Sequence, residues 1–259
     1  MKLDPAAVAA GVRLIERETV GSTNTEALVL ARAGERGPLW ITARRQSAGR
    51  GRRGRVWVSE PGNLYASLLL TDPSPPDRAA ELSFVAGLAV HDAVVAIAPA
   101  GAARFALKWP NDVLVDGKKV SGILIEGEGP AVVVGIGVNC VQHPDETSYP
   151  AADLVAVGVC APLEDLFARL SATMMRRLAQ WDRGTGFAAI RADWLARAAG
   201  VGGPICVALA DGERAGRFET VDAHGRLVLK LSNGSSETIT AGDVFALAPE
   251  RGRLAMAGR

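Results

Sequence analysis

The 259-residue chain carries 29 Lys and Arg against 28 Asp and Glu, a net charge of +1, with 48% hydrophobic and 22% charged residues. This is the make-up of a soluble enzyme with room for one large domain and a small one, and it excludes a uniformly basic nucleic-acid-coating protein. Three cysteines (Cys140, Cys160, Cys206), odd in number and without Cys-x-x-Cys or Cys/His spacing, support neither a disulfide framework nor a zinc site, so a reducing cytoplasm is the expected compartment.

Asp4-Pro5 predicts a helix start, and the charges flanking the Ala-rich run that follows are unlike a secretory signal. No stretch reads as the roughly 18 apolar residues of a membrane span. At 21–26 the sequence GSTNTE precedes a helical run, 27–33, stopped by Gly34. Thr23 as N-cap with Glu26 three residues later predicts a capping box. Free N–H groups at such a helix mouth can hold a polar ligand group, although this segment alone is better explained as a plain N-cap.

Residues 44–57 place six arginines (Arg44, Arg45, Arg50, Arg52, Arg53, Arg55) and three glycines (Gly49, Gly51, Gly54) between two apolar strand-like runs, 39–42 and 56–58. Mutual repulsion with little apolar side chain predicts a loop. Glycines let backbone N–H groups turn to one point, and guanidinium forks fit carboxylates and phosphates, so the loop is expected to close over an anion. A solvated basic loop is the plainer alternative. Against it, the positive charge is local in a chain of nearly zero net charge.

A buried strand is predicted at 63–70 and, after the turn TDPSPPD, a helix at 78–97 capped by Asp77. Two strands, 104–109 and 113–115, flank Pro110-Asn111-Asp112, and the Asp116-Gly117 hairpin turn leads into 120–126. A further strand at 131–138 ends at Asn139. These strands form one antiparallel sheet in this reading, with Lys108, Asn111, Asp112, Lys119 and Asn139 at their ends. Helices follow at 163–181, with a core stripe of Leu, Met and aromatic residues, and near 187–199. From 202 to 249, short runs at 205–210, 214–221, 227–231, 237–240 and 244–247 are spaced by Asp211-Gly212, His224-Gly225 and Asn233-Gly234. That spacing predicts a small SH3-like β-barrel. The whole is α+β: a mixed, largely antiparallel sheet flanked by helices over 1–200, and the barrel over 201–259.

The set GSTNTE, QSAGRGRRGRVW, KWPND, GKKVSGIL and GIGVN, in this order over 21–139, resembles the biotin protein ligases, and the C-terminal β domain is similar as well. The resemblance implies a class II synthetase-like fold. It also implies a two-step reaction, in which biotin and MgATP give biotinyl-5′-adenylate and the biotinyl group passes to a lysine on the biotin carboxyl carrier domain of a carboxylase. On its residues, Ser22, Thr23 and Asn24 meet the ureido ring. Gln46 and the turn Arg50-Gly51-Arg52 hold biotin and its acyl phosphate, and Lys119 faces the carboxylate. Arg52, Arg55, Trp57, Lys108, Asn111, Asp112 and Asn139 lie near the nucleotide. Arg50, Lys108, Lys119 and Asp112 are the expected catalytic groups; for Asp112 the roles of Mg2+ or ribose positioning and of proton acceptor stay open.

About twenty residues precede Ser22, too few for the winged helix of bifunctional members, so DNA binding is not expected. The chain is expected to act as a monomer or weak homodimer, without a membrane. A lipoate-type ligase, a scaffold without catalysis, and an Arg/Gly-loop nucleic-acid binder are the rival readings; the last would need stacking aromatics, and only Trp57 is close.

Overall fold

The computed structural model describes residues 1–246 apart from Ala102, Ala103, Glu146 and Ser148. Chain entry follows the Asp4-Pro5 signal: α1 (Pro5–Ala9) has Asp4 as N-cap, its carboxylate accepting the Ala6 N–H. The strand β1 (Arg13–Val20) then runs parallel to β2 (Leu39–Gln46), Arg13 beside Leu39 and Val20 beside Gln46. Sequence pattern did not predict β1. It is an edge strand exposed along most of its length, so no alternating apolar face marks it.

Between these strands lies α2 (Thr23–Arg32). After β2 come β3 (Leu64–Thr71), α3 (Leu82–Ile97), β4 (Phe105–Lys108), β5 (Asp112–Val115), β6 (Lys118–Glu128) and β7 (Ala131–Val138). The seven strands form one sheet in the order β1-β2-β3-β7-β6-β5-β4, antiparallel except for the β1–β2 pair. Asp116 and Gly117 take the left-handed φ values, 46° and 79°, that a two-residue hairpin turn requires.

One face of the sheet is covered by α2, through Ala27 against Leu39, Ile41, Leu69 and Val133. The other face carries α3 with α4 (Leu163–Trp181) and α5 (Phe187–Leu195), and the main core lies there. Two expectations change. A 3-10 stretch, Pro76–Glu81, precedes α3 with Pro75 at its cap position, so Asp77 caps nothing: the proline pair sets the chain's course first. With that lead-in, Pro76–Ile97 is long and apolar enough to cross a membrane by length and composition, at a mean hydropathy of 1.6, contrary to the sequence reading. Most of it is buried, and its apolarity is that of a core helix between sheet and α4.

The remaining strands β8 (Pro204–Leu209), β9 (Gly212–Val221), β10 (Leu227–Lys230), β11 (Ser236–Ile239) and β12 (Asp243–Ala246) make a separate antiparallel sheet ordered β11-β10-β9-β8-β12. The sequence predicts that the final strand reaches Leu247, which lies outside the described residues. This small unit abuts the large one: Trp109 Nε1 donates to Gly225 O at 3.0 Å, and a Cβ on Gly225 would stand 2.8 Å from the Phe84 ring. Its last strand is thereby brought to the end of the large sheet.

A charged cluster ties the three helices. Asp92 of α3 accepts from Arg176 Nη2 at 2.9 Å and Arg177 Nε at 2.8 Å, and Arg177 Nη1 reaches Asp193 of α5 at 2.6 Å. Burial works to raise the Asp92 carboxyl, but His91 and the two guanidinium groups outweigh it and hold it at about 2. A depressed carboxylate stabilises the fold fully above its ordinary value of 3.8 and loses that contribution as pH falls toward about 2. Asp92→Asn should therefore lower stability at pH 7 by about 2 kcal/mol and flatten the acid limb of the stability profile, measured by urea unfolding between pH 7 and pH 3. An unchanged acid limb would remove Asp92 from the cluster's energetics.

Candidate active site

The cavity floor is bare backbone. Gly135 and Gly137 of β7 project to the face that carries α2, opposite Leu124 and Gly122 of β6. A Cβ on Gly135 would lie 2.2 Å from Asn24 Oδ1, and one on Gly137 would lie 2.5 Å from the Trp57 indole. Asn24 and Trp57 thus occupy space that only glycine leaves open.

Above this floor, the first turn of α2 differs from the expected capping box. Ser22, not Thr23, is the N-cap, and its side chain makes no cap hydrogen bond. Glu26 pairs instead with Arg17 at 3.0 Å. Thr23, already inside the helix, sends both its N–H and its hydroxyl to Gln46 Oε1, at 2.8 and 3.1 Å. Gln46 Nε2 donates to Ser59 Oγ at 2.9 Å, and Ser59 Oγ to Trp57 O at 2.8 Å. Ser67 Oγ lies 2.7 Å from Thr23 Oγ1 and 2.6 Å from Asn24 Oδ1. Tertiary contacts have taken up the polar groups that a local cap would have used, and they leave Ser22, Thr23 and Asn24 as a buried polar wall.

Lys108 at the end of β4, Asp112 at the start of β5 and Lys119 near the start of β6 meet at one corner. Lys119 Nζ lies 2.6 Å from Asp112 Oδ1, an ion pair out of hydrogen-bond alignment, and Lys108 Nζ lies 3.4 Å from Oδ2. Burial pushes Lys108 below its ordinary value, with Asp112 opposing. The Lys108 ammonium also sits 3.9 Å over the Tyr149 ring, with Phe245 of β12 at 5.9 Å, while Lys119 stands 5.4 Å from the Trp57 ring. Asn111 and Asn139 spend their amides internally, on Ile123 O and Ala152 O, so they shape the wall.

The arginine segment roofs this corner, but not with the limits expected. The strand β2 continues to Gln46, so Arg44 and Arg45 stand on a strand and pair with Glu18 and Glu60. No strand forms at 56–58. Val56 makes only an isolated bridge to Arg50 and is 81% exposed, because the loop lies over the cavity and has no sheet beside it. Within the loop, Arg50 meets Glu126 at 3.1 Å and Arg52 meets Asn111 Oδ1 at 3.2 Å and Gly242 O at 3.4 Å. Arg53 and Arg55 meet Asp243 at 3.3 and 2.9 Å. Burial lowers Arg52. Burial acts upward on Asp243 too, but the Arg55 hydrogen bond and the surrounding arginines hold it below the ordinary carboxylate value.

Every residue expected at the site, from Ser22 to Asn139, lines one cavity of about 1300 Å³ counting its open mouth. Asp243, Phe245 and Tyr149 line it as well and were missed, as was Glu126 behind Asn24. Nothing local marks Asp243 or Phe245, which enter only through the docking of the second sheet. The alternating glycines Gly135 and Gly137 were the one available signal for the floor.

A polar slot that ends in two lysines under an arginine roof is built to bring anions together. Residues 17–141 match the model of the biotin/lipoate A/B protein ligase family, and residues 202–247 match the biotin protein ligase C-terminal domain. Over 235 residues the chain is 45% identical to a biotin–(acetyl-CoA-carboxylase) ligase of Paracoccus denitrificans, covering 86% of this chain and 96% of that one. The corresponding ligase of Mycobacterium tuberculosis is 37% identical, covering 88% and 86%. The biotin protein ligase of Aquifex aeolicus in complex with biotin and ATP superimposes with a TM-score of 0.77 at 27% identity, over 90% of this chain and 97% of that one. The chain belongs to the biotin protein ligase family and is a ligase.

The roof can be tested through its anchor. Asp243→Asn leaves two arginines without their shared carboxylate, a loss of about 1 kcal/mol for a partly exposed pair, and tryptic cleavage between Arg50 and Arg55 should rise roughly fivefold. Cleavage at the wild-type rate would show that the loop is held by other contacts.

Proposed function

We propose that the chain joins biotin to ATP, giving biotinyl-5′-adenylate and pyrophosphate, and then passes the biotinyl group to the amine of a lysine of the biotin carboxyl carrier domain of a carboxylase, with AMP as the leaving group. The observation that carries this reading is the Lys108–Asp112–Lys119 corner at the end of a buried polar slot. In the first step a biotin carboxylate oxygen attacks the α-phosphorus, an O–P bond forms, and the bond to the β-phosphate breaks. No protein nucleophile takes part. The chain's task is to place two anions together and to meet the charge that grows on phosphorus, and fixed cations supply that in a partly desolvated site.

In this reading Ser22, Thr23 and Asn24 receive the ureido ring, and Gln46 with Arg50, Gly51 and Arg52 holds the valeryl and acyl-phosphate side. Lys119 neutralises the carboxylate, while Lys108, Arg52 and Arg55 face the phosphates. Trp57 offers a ring to adenine, and Asn111 and Asn139 shape the nucleotide wall. Asp112 pairs with both ammonium groups, so to the roles left open for it, Mg2+ or ribose positioning and proton acceptance, we add orientation of these cations. Mg2+ enters with the triphosphate as part of the substrate. Among the described residues no cluster of three ligating side chains could cage it, and Asp112 with the nucleotide phosphates is the kind of donor set Mg2+ uses. We take residues 1–200 as the catalytic unit and 201–259 as the small C-terminal domain, whose described part, 201–246, supports the roof through Asp243.

Pyrophosphate release should depend on biotin, and Lys119→Ala or Arg50→Ala should slow it about 100-fold or more, since each removes a fixed donor from the developing charge. Release that depends on lipoate instead would transfer the cavity to the lipoate branch, and wild-type rates in both variants would end the site assignment. A mixed anhydride must be kept from water, so the roof should tighten over it: biotin with ATP should protect the 44–55 segment from trypsin, and unaltered cleavage would count against that closure.

A further inference from the structure

Glu126 has no part in the reaction as described, yet its carboxylate joins the cavity floor to the roof. On β6 it stands opposite Val133, at the end of the face that carries Gly122 and Leu124. Its Oε2 accepts Asn24 Nδ2 at 2.7 Å, the shorter of the two bonds that this NH2 group makes, the other going to Leu124 O at 3.4 Å. From the other side Arg50 Nη2 donates to Oε1 at 3.1 Å and to Oε2 at 3.2 Å, while Arg50 Nη1 donates to Thr25 Oγ1 at 3.0 Å.

Two constraints follow. A carboxylate only accepts hydrogen bonds, so the NH2 end of the Asn24 amide must face Glu126 and its Oδ1 must face Ser67. Asn24 is only 3% exposed, so water cannot rescue a reversed amide. A guanidinium is a rigid fork, and with one nitrogen on Glu126 and another on Thr25 the Arg50 plane is held at one angle to the slot.

We propose that Glu126 is a positioning residue for biotin: it sets the direction of the Asn24 amide and the angle of Arg50 together, without touching the ligand. The inference rests on the reading of the cavity given above. Both links act on the biotin side, and neither reaches Lys108, which faces the phosphates in that reading. Glu126 is thus a specificity element that sets one substrate's site and leaves the other's alone.

Glu126→Gln keeps the shape and an acceptor for Asn24 but removes the charge and turns an NH2 group toward Arg50. Measured by biotin-dependent pyrophosphate release, the KM for biotin should rise about tenfold, the loss expected for a charge-assisted hydrogen bond, while the KM for ATP changes less than about twofold. The effect should shrink to less than about twofold in an Arg50→Ala background, and Glu126→Asp should recover part of the biotin KM. Thr25→Val removes the other anchor of Arg50 from an exposed position and should raise the biotin KM by roughly threefold, which keeps the test open if Glu126→Gln does not fold. An unchanged biotin KM, or equal rises for biotin and ATP, overturns the role of Glu126. If Arg50→Ala itself leaves release untouched, the reading of the cavity falls with it, whereas an impaired Arg50→Ala beside a normal Glu126→Gln removes Glu126 alone.

Discussion

Three carboxylates, Asp112, Glu126 and Asp243, hold together a set of cations that would otherwise drive one another apart. Two like charges about 5 Å apart at an effective dielectric of 20 repel by about 3 kcal/mol, and this cavity gathers Lys108, Lys119, Arg50, Arg52 and Arg55 around one slot. Each carboxylate has its own task. Asp112 pairs the two lysines, Glu126 receives Arg50, and Asp243 receives Arg53 and Arg55. Compensation of this kind holds the side chains in place as oriented donors, so that little reorganisation is needed when an anion enters the slot.

The compensation also explains why two sheets are needed. The lysine corner belongs wholly to the large sheet, whereas the carboxylate that anchors the roof comes from β12 of the small one. Docking through Trp109 and Gly225 brings Asp243 and Phe245 over the cavity mouth. The small unit therefore supplies a wall of the active cavity, which composition and turn spacing alone did not suggest. Burial has a further effect: Lys108, enclosed by Tyr149 and Phe245, is pushed below its ordinary value, with Asp112 acting in the opposite direction.

Much of this architecture was legible along the chain because local signals agreed with the global fold. Strand β7, the helix at Leu163–Trp181 and the turn at Asp116-Gly117 formed where pattern and turn chemistry placed them. The misreadings share a cause. Thr23 has the residue type and spacing of a capping box, but Gln46 offers its N–H and hydroxyl a tertiary acceptor, and Glu26 goes to Arg17. Val56 to Val58 reads as strand by residue type, yet no neighbouring strand is there to pair with it.

The sequence by itself determined the class of fold, the order of the elements apart from β1, the local excess of positive charge and the part of the cavity lining between Ser22 and Asn139, because periodicity, turn residues and short motifs are written in consecutive positions. Only the tertiary structure decided how that charge is balanced. Arg55 and Asp243 are 188 residues apart, and Arg50 and Glu126 are 76 apart. An ion pair depends on distance in space, and that distance exists only once both sheets have closed around the slot.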